Sequence, residues 1–175
     1  MVTDTSAIMN YHFPRWQELP ELDLYMDQII SIIDRYLSIF SPEDPEDKLM
    51  TPTMINNYVK QRMVSAPVSK KYDRPKVAFF LILALLKRVM SISELAELKR
   101  IVLEAYPAEE AYNLFCSELE SAVHYVFGQE TSAISPVPQG ERNKEHSAVR
   151  AAAVAFANKF YLQQLLRQSP EEQQA

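Results

Sequence analysis

Apolar residues recur along most of the chain at intervals of three and four, which places them on one face of a helix. The first such stretch runs from residue 22 to residue 40, where six apolar side chains form one stripe. Five later segments show helical periodicity or helix-capping residues: 51–63, 73–90, 92–105, 107–128 and 148–168. The pattern therefore predicts an all-α fold of about six helices.

Capping residues mark where three of these helices begin. Thr51 is a favourable N-cap and is followed by Pro52, which fits the first helical position because a proline there loses no hydrogen bond. Asp73 caps the next helix, and Ser91 with Glu94 forms a capping box for the one after it. The helix after Asp73 is apolar on nearly every side, so we expect it to form the centre of the core.

Segments without helical periodicity divide the chain. Residues 1–20 form an N-terminal arm, which three apolar residues could pin onto the globule: Phe13, Trp16 and Leu19. Residues 129–146 are rich in serine, proline and polar side chains and are typical of a linker. We therefore predict a domain over 21–105, followed by a helical C-terminal region over 106–175 that contains this linker.

Composition narrows the class of protein. The chain has only two glycines, which argues against the glycine-rich loops of nucleotide-binding folds and disfavours tight hairpins. Its longest apolar run, 77–86, is too short to span a bilayer, and its one cysteine, Cys116, cannot form an internal disulfide. We expect a cytoplasmic protein that does not enter the membrane.

Charge is distributed unevenly along this acidic chain. Residues 48–76 carry seven basic side chains against one acid, a net charge of +6. Because the whole chain carries −5, the remaining residues carry −11. Such a separation makes one surface attractive to phosphate, although a run of charge is often only a solvated face.

The basic segment also has the chemistry of a DNA-reading element. The helix over 51–63 would display one polar face opposite its apolar side: Thr53, Asn56, Asn57, Lys60 and Gln61. Asparagine and glutamine can make paired hydrogen bonds to adenine in the major groove. The stretch 65–72 contains Pro67 and no helical pattern, so it predicts an irregular or short β excursion. There Lys70, Lys71 and Tyr72 could contact the adjacent phosphate backbone, although a tyrosine near a helix end is as often packed in the core.

The order of these features resembles the winged helix-turn-helix of MerR-type regulators. The counterparts are a recognition helix with Ile55 to Tyr58, the apolar pair Met63 and Val64, the wing 65–72, a long apolar helix, and then Ser93, Glu94 and Leu95. The resemblance implies a transcriptional regulator whose helix 51–63 enters the major groove of double-stranded DNA. It covers roughly 50 residues.

Three departures separate the chain from that pattern, and one of them is a connector between the first two helices that is longer than in a compact helix-turn-helix. Asn56 and Asn57 stand where the family has an arginine and an aromatic residue, and Arg62 stands where it has a glycine. The phrases FPRWQELPELDLYMDQ (13–28), TPTMINNYVK (51–60) and KKY (70–72) are more closely similar to a functionally uncharacterised family of bacterial helical proteins with the same head. That family implies no activity, and the base preference does not carry over.

Other functions receive less support from the residues. The same face could bind an acidic protein, which would make the chain a non-enzymatic adaptor. Glu120 and His124 lie four residues apart but have no further metal ligands at suitable spacing, and Cys116 has no flanking base, so we expect no enzyme activity, metal or cofactor. The aromatic C-terminal helices could fill the core, form an effector pocket or make a homodimer.

Overall fold

Seven α-helices and one small antiparallel sheet make up the part of the chain that the structure, a computed structural model, describes: residues 5–42, 44, 46–128 and 143–167. The helices are α1 (Thr5–Met9), α2 (Met26–Tyr36), α3 (Pro52–Lys60), α4 (Arg74–Leu86), α5 (Ile92–Ala105), α6 (Ala108–Phe127) and α7 (Lys144–Arg167). The strands are β1 (Leu24–Tyr25) and β2 (Lys71–Tyr72), and two 3-10 turns lie at Trp16–Glu18 and Ser38–Phe40. The predicted all-α class is confirmed.

The predicted caps are present at the starts of three helices. The Thr51 hydroxyl accepts a hydrogen bond from the Met54 N–H at 3.2 Å, and the Asp73 carboxylate accepts one from the Lys76 N–H at 3.2 Å. Ser91 forms a capping box with the residue three positions later. Each cap satisfies a backbone donor that the first turn of a helix leaves without a partner.

Two of the predicted helix starts are wrong. α2 begins at Met26 and not at residue 22, because the two residues before it pair with β2. Leu22 is consequently 80% exposed and lies outside the apolar stripe. At the other end of the chain, α7 begins at Lys144, inside the predicted linker; residues 129–142 of that linker lie outside the described residues. The short helix α1 was not predicted.

The apolar helix α4 forms the centre of the core, as predicted. Every residue from 77 to 86 is buried except Phe79 and Ile82, which are half-buried. α4 packs against α2 on one side and against α6 and α7 on others. One cluster of buried side chains includes residues on both sides of the predicted boundary after residue 105, so the two predicted regions share a core.

The N-terminal arm is held against α6. Phe13 is fully buried, and the Trp16 N–H donates to the Asn113 side-chain oxygen at 2.9 Å. The Arg15 guanidinium makes two hydrogen bonds to the Glu120 carboxylate, at 2.8 and 2.5 Å. This paired geometry is the strong form of an ion pair, and it fastens the arm to a helix more than a hundred residues later.

A buried carboxylate joins α7 to α6. Glu118 is buried and lies 2.7 Å from the His146 Nε2 and 3.4 Å from an Arg150 guanidinium nitrogen. A buried carboxylate without partners would be costly, so these contacts favour the position in which α7 lies along α6. None of the described helices combines the length and apolar character needed to cross a membrane.

Candidate nucleic-acid interface

The helix α3 has one buried face and one exposed face. Ile55 and Tyr58 are buried and pack the helix onto α2. The five polar residues predicted to contact DNA in this segment are all exposed: Thr53, Asn56, Asn57, Lys60 and Gln61. Their spacing of three and four residues puts them on one side of the helix and its C-cap, as the sequence pattern predicts.

The chain leaves α3 through a left-handed residue. Arg62 has φ of 60°, its N–H bonds to the Val59 carbonyl at 3.0 Å, and the Met63 N–H bonds to the Tyr58 carbonyl at 2.9 Å. This pair of bonds is the Schellman motif, in which glycine is the usual left-handed residue. Arg62 therefore keeps the backbone conformation favoured by glycine while it presents a basic side chain to solvent.

A tight hairpin follows, although the scarcity of glycine argued against one. Val68 and Lys71 exchange both backbone hydrogen bonds, at 3.0 and 2.9 Å. The two residues between them have positive φ, 49° at Ser69 and 65° at Lys70, as in a type I′ turn. The predicted short β excursion is present, and its tip carries the exposed Lys70.

The strand pairing decides which wing residues face solvent. Tyr72 lies opposite Leu24 and Lys71 lies opposite Tyr25, so the two pairs point to opposite sides of the sheet. Tyr72 is only 2% exposed and its ring packs edge-on against Phe80 at 5.4 Å, and burial raises the pKa of its hydroxyl. Strand alternation therefore turns the ring into the core, and the phosphate contact of Tyr72 stays a prediction.

A groove separates α3 from the wing. It has a volume of about 520 Å³, and its lining includes Asn56 from α3 and Lys70 from the hairpin tip. Lys71 is half-buried, with its Nζ 4.9 Å from the centre of the Tyr25 ring. The structure therefore brings Asn56 and Lys70 to one concave surface. It also adds Asp27 to the lining, a carboxylate that the charge pattern did not identify.

Only part of the basic segment supplies available positive charge. Arg74 lies 3.5 Å from Glu21 and donates to the Pro20 carbonyl, and Lys76 pairs with the cap residue Asp73 at 2.8 Å. Four other cations of this segment are exposed and form no ion pair with a described carboxylate: Lys48, Lys60, Arg62 and Lys70. Arg62 was not among the predicted contacts, although its position directly after α3 could have indicated it.

The other candidate residues have structural roles. Cys116 is fully buried, and burial raises the pKa of its thiol to about 12. Although burial alone would raise the pKa of Glu120, hydrogen bonds from Arg15 and the Phe13 N–H hold it below its usual value. Among the described residues, no group of three or more His, Cys, Asp or Glu side chains is arranged to hold a metal ion.

A comparison with protein-family models places this architecture in a family. The model for a domain of unknown function, DUF1836, matches residues 14–115. The chain belongs to the DUF1836 family. The matched part of this DUF1836 chain contains α2 to α5 with the wing, and it ends within α6, three residues after Tyr112. The Tyr112 hydroxyl donates a hydrogen bond to the Pro14 carbonyl at 2.8 Å, so this bond joins the two ends of the matched part. No curated protein and no solved structure matches the chain.

Proposed function

We propose that this DUF1836 protein is a DNA-binding transcriptional regulator with a MerR-like winged helix-turn-helix. In this proposal α3 enters the major groove and the hairpin wing lies on the neighbouring phosphate backbone. The observation that carries the proposal is the exposed face of α3, where five polar residues lie on one side and one of them, Asn56, lines the same groove as Lys70. Helices that read DNA present such a face while their opposite side packs on the preceding helix.

The dimensions of this surface are suitable for duplex DNA. A helix with its side chains is about 10–12 Å across and the major groove is about 12 Å wide, so α3 can lie in the groove, and its nine residues would extend about 14 Å there. Asn56 and Asn57 offer the paired donor and acceptor that recognise adenine. The hairpin carries Lys70 into the lining of the same groove as Asn56, where it could contact a phosphate of the adjacent backbone.

The charge of the surface predicts how salt affects binding. If Lys60, Arg62 and Lys70 each contact one phosphate, the logarithm of the binding constant falls with the logarithm of salt concentration with a slope of about −3. The Asp27 carboxylate in the groove opposes this attraction. Phosphate contacts should therefore contribute less to affinity here than in strongly basic DNA-binding domains. Base contacts, or binding to two half-sites, should contribute more.

The test is selection of bound duplexes from a random library, followed by anisotropy titrations between about 50 and 200 mM salt. Lys70→Ala should weaken binding to all duplexes alike and reduce the salt slope by about 1. Asn56→Ala should instead change the selected sequence. Lys159→Ala, an exposed lysine on α7, is the matched control and should change neither property. The proposal fails if the chain binds no duplex at low salt.

One observation favours a second candidate, a protein-binding adaptor that uses the same face. Tyr25 is 46% exposed and Val68 is 72% exposed, and both flank Lys71 on the outer side of the hairpin. Exposed apolar residues beside a cation suit a protein partner with acidic and apolar groups. The adaptor would be favoured if one protein co-purifies with the chain in equal amount and no DNA is bound. A Val68→Asp variant should then lose this partner.

The DNA-binding proposal includes a homodimer formed through the C-terminal helices. Three leucines near the end of α7 are exposed and lie on adjacent turns: Leu162, Leu165 and Leu166. Such a strip is typical of a helix-to-helix contact, and two-fold dimers read two half-sites. Light scattering should give twice the chain mass, and Leu162→Ser with Leu166→Ser should return the protein to a monomer. A wild-type chain that is monomeric at high concentration would refute this contact.

A further inference from the structure

A second cavity lies among α4, α5 and α6, away from the interface described above. It has a volume of about 270 Å³ and is open on one side. Its walls are mainly apolar, with side chains from all three helices and from the N-terminal arm: Trp16, Phe79, Ile82, Leu98, Val102 and Tyr112. None of the eight residues predicted to contact DNA lines this cleft.

The cleft contains an ammonium group without an acidic partner. Lys99 on α5 lines it, donates to the Met63 carbonyl at 2.6 Å and lies 4.4 Å from the centre of the Phe79 ring. No described carboxylate forms an ion pair with Lys99, and burial lowers its pKa. An ammonium has three donors, so two remain beyond the bond to Met63. A half-buried cation in apolar surroundings favours an anion beside it.

The other charged groups of the cleft offset one another. Lys76 and Asp73 both line it and pair at 2.8 Å, and the Asp73 carboxylate also caps α4 through the Lys76 N–H. The cleft therefore has one uncompensated positive charge, on Lys99, within walls that are otherwise apolar or neutral. This combination is typical of a small-molecule site, in which an apolar cavity gives affinity and a few polar groups orient the ligand.

We propose that this cleft binds a small organic monocarboxylate, with its apolar body between α4, α5 and α6 and its carboxylate on Lys99. A dry cavity of about 150 Å³ holds benzene, so a cavity of this volume suits a ligand of about ten to twelve non-hydrogen atoms. An aromatic or medium-chain aliphatic acid has this size and one charge. The assignment does not depend on the proposed DNA contact, because the two surfaces share no predicted contact residue.

The chain carries its own reporter for such binding. Trp16 is the single tryptophan of the sequence and lines the cleft, so a ligand that enters it should change the intrinsic fluorescence. The probes are 4-phenylbutyrate and octanoate, with the neutral 4-phenylbutanamide as the matched analogue without charge. At neutral pH both acids should bind saturably, and the phenyl acid should bind at least about tenfold more tightly than its amide. Calorimetry on the full chain should give the same affinities.

Two variants locate the site. Lys99→Met keeps the apolar stem and removes the charge, so it should abolish the preference for the acid over the amide. Lys48→Met, an exposed lysine outside the cleft, is the control and should keep that preference. Ala108→Leu, which adds side chain at a half-exposed position in the wall, should weaken acid and amide together. Circular dichroism checks that each variant is folded.

Three results would overturn the proposal. The first is the absence of any fluorescence change or heat with either acid up to millimolar concentration. The second is equal binding of acid and amide to the wild-type chain, a comparison that needs no variant. The third is a dimer that forms without ligand and is disrupted by Ala108→Leu, because a second copy of the chain would then cover the cleft.

Discussion

The left-handed residue at the end of α3 should be a site where glycine is more stable than alanine. Arg62 has φ of 60°, a conformation that costs a residue with a side chain about 1–2 kcal/mol. Glycine avoids this cost but loses more chain entropy on folding, roughly 0.5–1 kcal/mol relative to alanine. We therefore expect the free energy of unfolding of the Arg62→Gly variant to be about 0.5–1 kcal/mol higher than that of the Arg62→Ala variant. The corresponding difference in Tm is about 2 °C.

Comparing the two variants removes the effect of the lost charge, because both lack the guanidinium. The measurement is urea unfolding followed by far-UV circular dichroism, with equal m-values required of both variants. Asn57, exposed in the middle of α3, is the matched control: there glycine should be less stable than alanine by about 1 kcal/mol. If Arg62→Gly is no more stable than Arg62→Ala, the left-handed conformation and the Schellman motif at this position are refuted.

Three further predictions concern buried groups. Glu120 has a lowered pKa in the folded state, so its contribution to stability is present above the unfolded-state pKa of about 4.3 and is lost as pH falls below that value. Glu120→Gln should therefore flatten this part of the curve of stability against pH. An unchanged curve would argue against the Arg15 contact. Cys116 should react with a thiol reagent only after unfolding, because it is buried with a raised pKa; fast labelling of the native chain would contradict this. Tyr72→Phe should leave any DNA affinity within about twofold of wild type in anisotropy titrations, since the ring faces the core, whereas a loss of about tenfold would restore it as a contact.

The exposed face of α3 could be predicted because its causes are local. Thr51 and Pro52 define the start of the helix, and the spacing of Ile55 and Tyr58 defines its buried side. Once these are known, the 3.6-residue period determines which side chains are opposite the core. The five predicted residues of this helix and its C-cap are all exposed for that reason.

The wing could not be predicted in the same detail, because its orientation depends on a distant segment. A strand of two residues is too short to show an alternating pattern, so Lys71 and Tyr72 are equivalent by sequence. Their pairing with Tyr25 and Leu24, nearly fifty positions earlier, turns one side chain outward and the other into the core. A shift of one residue in that register would exchange them.

Local chemistry along the sequence determined the helical class of this protein, the starts of α3, α4 and α5, and the apolar helix at its centre. Caps and periodicity act within one or two turns, so they can be recognised from neighbouring residues alone. Two features depend on tertiary structure alone. These are the set of cations near the wing that form no ion pair, and the cleft that contains Lys99. Both depend on contacts between residues far apart in sequence, such as the pairing of Arg15 with Glu120 that holds the arm beside the cleft. No spacing rule along the chain encodes such contacts.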